Sequence, residues 1–139
     1  MIVADASAIL AFLFKERGWR ELAKYLICCT SVNHIVEEVT NAIWRATYVK
    51  KVLNKEQAVK MLTLFKKMIG INLILVSDVD YLEDAFKLAL EYGVSVYDCL
   101  YVVLAYRTNS YLLTLDEKQR KIAHDLEVCV LPRRRKILD

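Results

Sequence analysis

Five short apolar runs, separated by stretches of helical periodicity, restrict what this sequence can fold into more than any other feature. They fall at residues 1–4, 27–32, 71–76, 111–115 and 128–131. Each is too short for a stable helix and rich in aliphatic or β-branched side chains, so each reads as a buried strand. Between them the pattern predicts helices over residues 6–14, 19–26, 33 to about 48, 55–69, 79–92, 97–106 and 116–126, with Asn33 as a cap. Gly70 and Gly93 stand where two of these helices should stop, since a residue without Cβ enters the left-handed region freely. Strands alternating with helices at these lengths predict an α/β fold: a doubly wound, mostly parallel sheet with helices on both faces. The 139 residues fit a single domain over 1–139.

Composition excludes several functions. Hydrophobic residues make up 56% and charged residues 27%, which is incompatible with a disordered linker. The longest uninterrupted apolar run, 99–106, is far short of the ~18 residues that cross a bilayer. Asp5 breaks the apolar start and no basic residue precedes it, so a signal peptide is not expected. A soluble, cytoplasmic protein without a membrane partner is the expectation. Three isolated glycines cannot make a phosphate-cradling loop, and two histidines cannot make a His-rich metal site. The four cysteines contain no C-x-x-C pair, which removes zinc ribbons and thioredoxin-type chemistry. They read as buried, reduced thiols, with a Cys29–Cys129 disulfide as the alternative. Carboxylates and hydroxyls are left to carry chemistry.

Asp5 directly follows the first strand and Asp116 the fourth. In open parallel sheets, sites form beyond the carboxyl ends of strands. Either residue alone is equally a helix cap. Asp98 begins a helix whose next residues, Cys99 to Tyr106, are apolar on nearly every side, so that helix should be central. On the helix after Asn33, Ile35, Val39, Ala42, Ile43 and Ala46 share one stripe. At 100° per residue Glu38 lies roughly 75° from its centre and Glu37 nearly opposite. Glu38 therefore borders the core, where an ion pair with Arg45 would account for it. Trp44 and Tyr48 fall on the Glu37 side and suit a protein contact, such as a homodimer face or a groove for another chain.

The segments V-A-D-A-S at 3–7, E-V-T-N-A at 38–42, S-V-Y-D-C-L-Y at 95–101 and L-T-L-D at 113–116 occur in an order that resembles the PIN domain family of nucleases, and within it the VapC-type toxin ribonucleases. The resemblance covers essentially the whole chain. It implies a cluster of catalytic acids, Asp5, Glu38, Asp98 and Asp116, of which Asp5, Asp98 and Asp116 would ligate Mg²⁺ or Mn²⁺. Ser7, Asn41 and Thr114 would support them. It further implies an RNA substrate, a VapB-like antitoxin and a homodimer. Cys99 departs from the alanine common in the family at that position.

The chemistry is consistent with the inventory. Phosphodiester hydrolysis needs an activated water and stabilisation of charge on phosphate and leaving oxygen, which hard divalent ions held by oxygen ligands supply without His or Cys. Four neighbouring acids should oppose one another's ionisation, so raised carboxyl pKa values are expected. On this reading Asp5→Asn and Asp98→Asn both spare the fold. Net charge is only +3, but residues 45–67 carry seven basic side chains against one acid, and a second basic cluster spans 133–136. Arg45, Lys50, Lys51, Arg133, Arg134 and Arg135 are accordingly candidate RNA contacts, tracking a phosphate backbone. A toxin ribonuclease is the leading expectation. The alternatives are a housekeeping RNA-processing nuclease and a non-catalytic RNA-binding or scaffold module. A haloacid-dehalogenase phosphatase would need D-x-D where Asp5, Ala6 and Ser7 stand, and a receiver domain would need a strand-ending middle Asp.

Overall fold

The structure, a computed structural model, describes residues 1–134. Arg135 and Lys136, the remainder of the second basic cluster, lie outside the described residues.

All five expected strands form, each shorter than its apolar run because backbone pairing ends before apolar character does. They are β1 (Ile2–Ala4), β2 (Cys29–Val32), β3 (Leu73–Val76), β4 (Tyr111–Leu113) and β5 (Val130–Leu131). The sheet order is β3-β2-β1-β4-β5 and every neighbouring pair is parallel. The chain thus builds outward from β1 in one direction, crosses back over it, and builds outward in the other. With right-handed crossovers, that reversal puts the helices between β1 and β3 on one face and those between β3 and β5 on the other.

The helices are α1 (Ala6–Leu13), α2 (Trp19–Tyr25), α3 (Ile35–Trp44), α4 (Lys55–Met68), α5 (Leu82–Tyr92), α6 (Val96–Arg107) and α7 (Glu117–Asp125). Contacts follow the two-face division: α1 packs on α2 and α3, and α3 on α4, while α6 packs on α5, α7 and strands β1, β2 and β4. Asp98 to Ala105 of α6 are all buried, as the apolar run requires. Tyr101, Phe65, Ile9, Ile35 and Leu104 are among the largest fully buried side chains. Asn54 and Gln57 close a reciprocal capping box that starts α4. Gly93 ends α5 at φ +66°, where a Cβ would be strained.

Three local expectations are corrected. Asn33 does not cap α3; His34 holds that position with no side-chain cap bond, and Asp78 Oδ1 accepts the His34 N–H at 3.2 Å from the far side of β3. The helix reaches residue 48 as expected, but not as α-helix throughout: its last turn, Arg45–Val49, is π-helical. The cysteines are not uniformly buried: Cys29 and Cys99 are, while Cys28 and Cys129 are exposed, and all four are free thiols. A Cys29–Cys129 bridge is excluded by register. The two sit on one row of the sheet with β1 and β4 between them. Three strand spacings put them roughly 14 Å apart, and a disulfide requires Cα atoms within about 7 Å.

Candidate active site

The reversal of strand order falls between β1 and β4. Strand β1 leaves the sheet directly at Asp5, whereas β4 ends at Leu113 and Asp116 follows only after Thr114 and Leu115, a correction to the expected adjacency. Asp5 is almost fully buried at the end of β1. It caps α1 by accepting the Ala8 N–H at 3.0 Å, and it accepts hydroxyl protons from Ser7 (2.7 Å) and Thr114 (2.6 Å). Those hydroxyls are themselves held by the exit from β4. The Asp116 N–H donates to Thr114 Oγ1 at 3.0 Å and the Leu115 N–H to Ser7 Oγ at 2.9 Å. From the other side, Ser31 Oγ donates to the Ala4 carbonyl at 2.7 Å and fixes the last residue before Asp5. The two motifs V-A-D-A-S and L-T-L-D are therefore one stapled unit.

The remaining acids arrive on helix starts. Asp116 caps α7 through the Gln119 N–H at 3.1 Å. Asp98 sits in the first turn of α6, where Ser95 Oγ accepts its N–H at 3.2 Å. Its carboxylate meets Lys118 Nζ at 3.3 Å and Gln119 Nε2 at 3.4 Å, both from α7. Glu38, one turn into α3, makes no ion pair with Arg45. Its Oε2 accepts the hydroxyl of buried Tyr101 at 2.8 Å.

Electrostatics tie the four acids together. Burial pushes the Asp5 carboxyl up to about 7; the Thr114, Ser7 and Ala8 hydrogen bonds pull it down, and the Glu38 charge adds a smaller upward push. Burial also raises Glu38, which feels the charges of Asp98 and Asp116, while the Tyr101 hydrogen bond opposes the rise. The Lys118 ammonium is held charged by its hydrogen bond to Asp98 and by the charges of Asp98 and Asp116.

Among the described residues, no three His, Cys, Asp or Glu side chains form a ready-made metal cage. The donor set nonetheless fits a hydrated hard ion. It is all oxygen, and Mg²⁺ keeps several waters and needs only one or two carboxylates. Gln119 adds an independent sign: its Oε1 is buried with no hydrogen-bond partner beside Asp98, an acceptor that a water on such an ion would satisfy.

The other candidates are placed differently. Asn41 is exposed one turn beyond Glu38 and shares no hydrogen bond with the acids. Arg45 lies about 10 Å further along the helix than Glu38, and Lys50 and Lys51 follow it on the exposed turn. Arg133 and Arg134 are exposed beyond β5, with Arg134 paired to Glu117. Sequence reasoning missed Tyr101, Lys118 and Gln119. Tyr101 was hidden in an apolar run, though a hydroxyl inside a wholly buried helix must find a partner. Lys118 and Gln119 carry no signal beyond lying in the turn that Asp116 caps.

Fold and site together define an all-parallel α/β domain with acidic side chains arriving at its topological switch point. Residues 2–125 match the PIN domain family, and the chain belongs to it. Ribonuclease VapC3 of Pyrobaculum aerophilum is 34% identical, covering 94% of this chain and 98% of that protein. The solved structure of PAE2754 from the same organism superposes with a TM-score of 0.71 at 19% identity, over 93% of this chain and 81% of that one. Mycobacterium tuberculosis VapC20, a sarcin-ricin loop cleaving toxin, gives 0.65 at 13% identity over 87% and 94% of the two chains. VapBC2 of Rickettsia felis, solved with a fragment of its promoter DNA, gives 0.61 at 16% identity over 94% and 97%. At these identities the solved structures speak for the fold alone.

Proposed function

We propose that the chain is a metal-dependent endoribonuclease hydrolysing RNA phosphodiester bonds, and the toxin of a toxin–antitoxin pair. The observation that carries this reading is the gathering of Asp5, Glu38, Asp98 and Asp116 around one strand-order reversal, with Asp5 and Glu38 both raised mainly by burial. The likeness to Ribonuclease VapC3 supports RNA as the substrate.

Asp98 and Asp116, with Asp5 behind them, would hold Mg²⁺ or Mn²⁺. When bound, such an ion supplies charge stabilisation on the phosphate and makes water more acidic. The chain's own contribution is positional. Ser7 and Thr114 fix the Asp5 carboxylate, Tyr101 fixes Glu38 at the cleft wall, and Glu38, with its raised pKa, can hold or release a proton near the attacking water. Lys118 offers a donor to a phosphate oxygen from the rim. In the test, end-labelled RNA incubated with the purified protein is cut to internal fragments in Mn²⁺ or Mg²⁺ and stays intact in EDTA. Intact RNA under every divalent condition would contradict the proposal.

The partners follow from surfaces. An apolar groove of about 200 Å³ between α3 and α4, lined by Ile43, Trp44, Ala58, Val59 and Leu62, supports an antitoxin helix as occupant. The product of a small adjoining reading frame should then abolish the cleavage. Val79, Leu82, Phe86 and Leu90 form a separate exposed stripe along α5 and the turn before it, which supports a homodimer. Light scattering should report a dimer that Phe86→Glu converts to monomer; an unchanged mass would remove this stripe as the interface.

A further inference from the structure

Beside the acidic cleft two aromatic rings lie flat on one another. His34, at the cap of α3, and Tyr97, in the first turn of α6, have ring centroids 4.1 Å apart and planes 8° from parallel. Parallel stacking is one of the arrangements aromatic pairs favour when the rings are offset, and a pair this nearly parallel presents a flat face. Tyr97 is 54% exposed, an unusual fate for a residue flanked by Asp98 and the buried run that follows it. Tyr97 directly precedes Asp98, and His34 lies four residues, one helical turn, before Glu38. The stack therefore borders the cleft between two of the four acids.

The charge of the cleft sets the need. An acidic cluster repels a phosphate chain, Lys118 at its rim is already engaged by Asp98, and the candidate basic contacts Arg45, Lys50 and Lys51 stand well along α3 and beyond it. A substrate lying across the acids requires an uncharged hold close to them. A flat heterocycle that continues an aromatic stack is such a hold, it is insensitive to sequence because every base has a π face, and it needs a single strand whose bases are free.

We propose that the His34–Tyr97 stack is a nucleobase subsite, on which a base flanking the scissile phosphate of single-stranded RNA stacks. This deepens the ribonuclease reading and rests on it for the identity of the reaction. Tyr97 is a positioning residue on this account and takes no part in proton transfer.

The test separates base from backbone. Binding of a fluorescein-labelled adenosine decamer is compared, by anisotropy in EDTA, with a ribose–phosphate decamer that lacks bases. The wild-type chain should prefer the adenosine decamer about tenfold or more, the scale of one base–aromatic stack. Tyr97→Ala should erase most of that preference and leave binding of the base-free decamer unchanged, whereas Tyr97→Phe should keep it. His34→Ala, at a cap whose side chain makes no capping bond, should weaken it independently and serves if Tyr97→Ala fails to fold. Tyr97→Ala retaining the full preference, or a wild-type chain showing none, overturns the subsite. A chain that discriminates between the decamers yet cuts no RNA in Mn²⁺ overturns the nuclease reading alone; one that cuts RNA without discriminating overturns the subsite alone.

Discussion

Asp98→Asn is expected to fold as the parent does and to cut RNA at least a hundredfold more slowly. The carboxylate is 13% exposed and touches two side chains, Lys118 Nζ and Gln119 Nε2. An asparagine carbonyl still accepts from Gln119. The lost pairing with Lys118 is that of a side chain 60% exposed to solvent, for which the cost is at most about 1 kcal/mol. The cap that starts α6 uses the backbone N–H of Asp98, so it survives the change. Removing a negative charge from the cleft, by contrast, weakens cation binding and the charge stabilisation that depends on it. Single-turnover cleavage and a thermal melt within about 4 °C of the parent are the measurements. Parent-like cleavage would take Asp98 out of the site.

The second large effect is on stability, and its direction distinguishes Asp5 from an ordinary surface acid. In the folded chain burial pushes the Asp5 carboxyl up to about 7, against an ordinary value of 3.8. Between those limits the folded state binds a proton that the unfolded state has released. The contribution of Asp5 to stability is therefore fully present below about pH 4 and is lost as pH rises through 7, on the order of 4 kcal/mol in all. The groups facing Asp5 set the details: the Thr114 and Ser7 hydroxyls and the Ala8 N–H lower its pKa, the Glu38 charge raises it, and the Tyr101 phenol feels it in return. In EDTA, urea midpoints should drop between pH 5 and pH 8, and Asp5→Asn should flatten that slope. Thr114→Val should steepen the dependence and destabilise at both pH values, since it removes a donor to Asp5 and the acceptor for the Asp116 N–H. Mn²⁺ should restore stability more at pH 8 than at pH 5, because a cation favours the ionised carboxylate. A midpoint rising with pH would mean that Asp5 is ionised in the folded state. Asp5→Asn therefore changes the pH dependence of stability and the charge of the site together, and Asp98 is the cleaner probe of cleavage.

What sequence could reveal here was whatever depends on local pattern. Apolar runs gave strands, the acid directly after the first run gave its strand end, and the 100° spacing on α3 set Glu38 apart from Glu37 at the core border. What it could not reveal was partner choice across the fold. Arg45 is nearer than Tyr101 in sequence to Glu38, yet α6 crosses the sheet so that Tyr101, sixty-three residues away, takes the contact. Asn33 has the right side chain to cap α3, but Asp78 from the following crossover supplies the acceptor. The same holds for Cys29 and Cys129, whose plausibility as a pair disappears once the strand order places two strands between them.

The order of the strands also governs when catalytic power can exist. The first strand made is the central one, and its neighbour on one side arrives only with Tyr111 to Leu113. The hydroxyl that steadies Asp5 comes 109 residues after it. A ribosome translating this message therefore carries a chain whose cleft has no second wall until synthesis has passed Asp116. Asp5 and Asp116 can come together only once nearly all of the described polypeptide is free to close around the first strand.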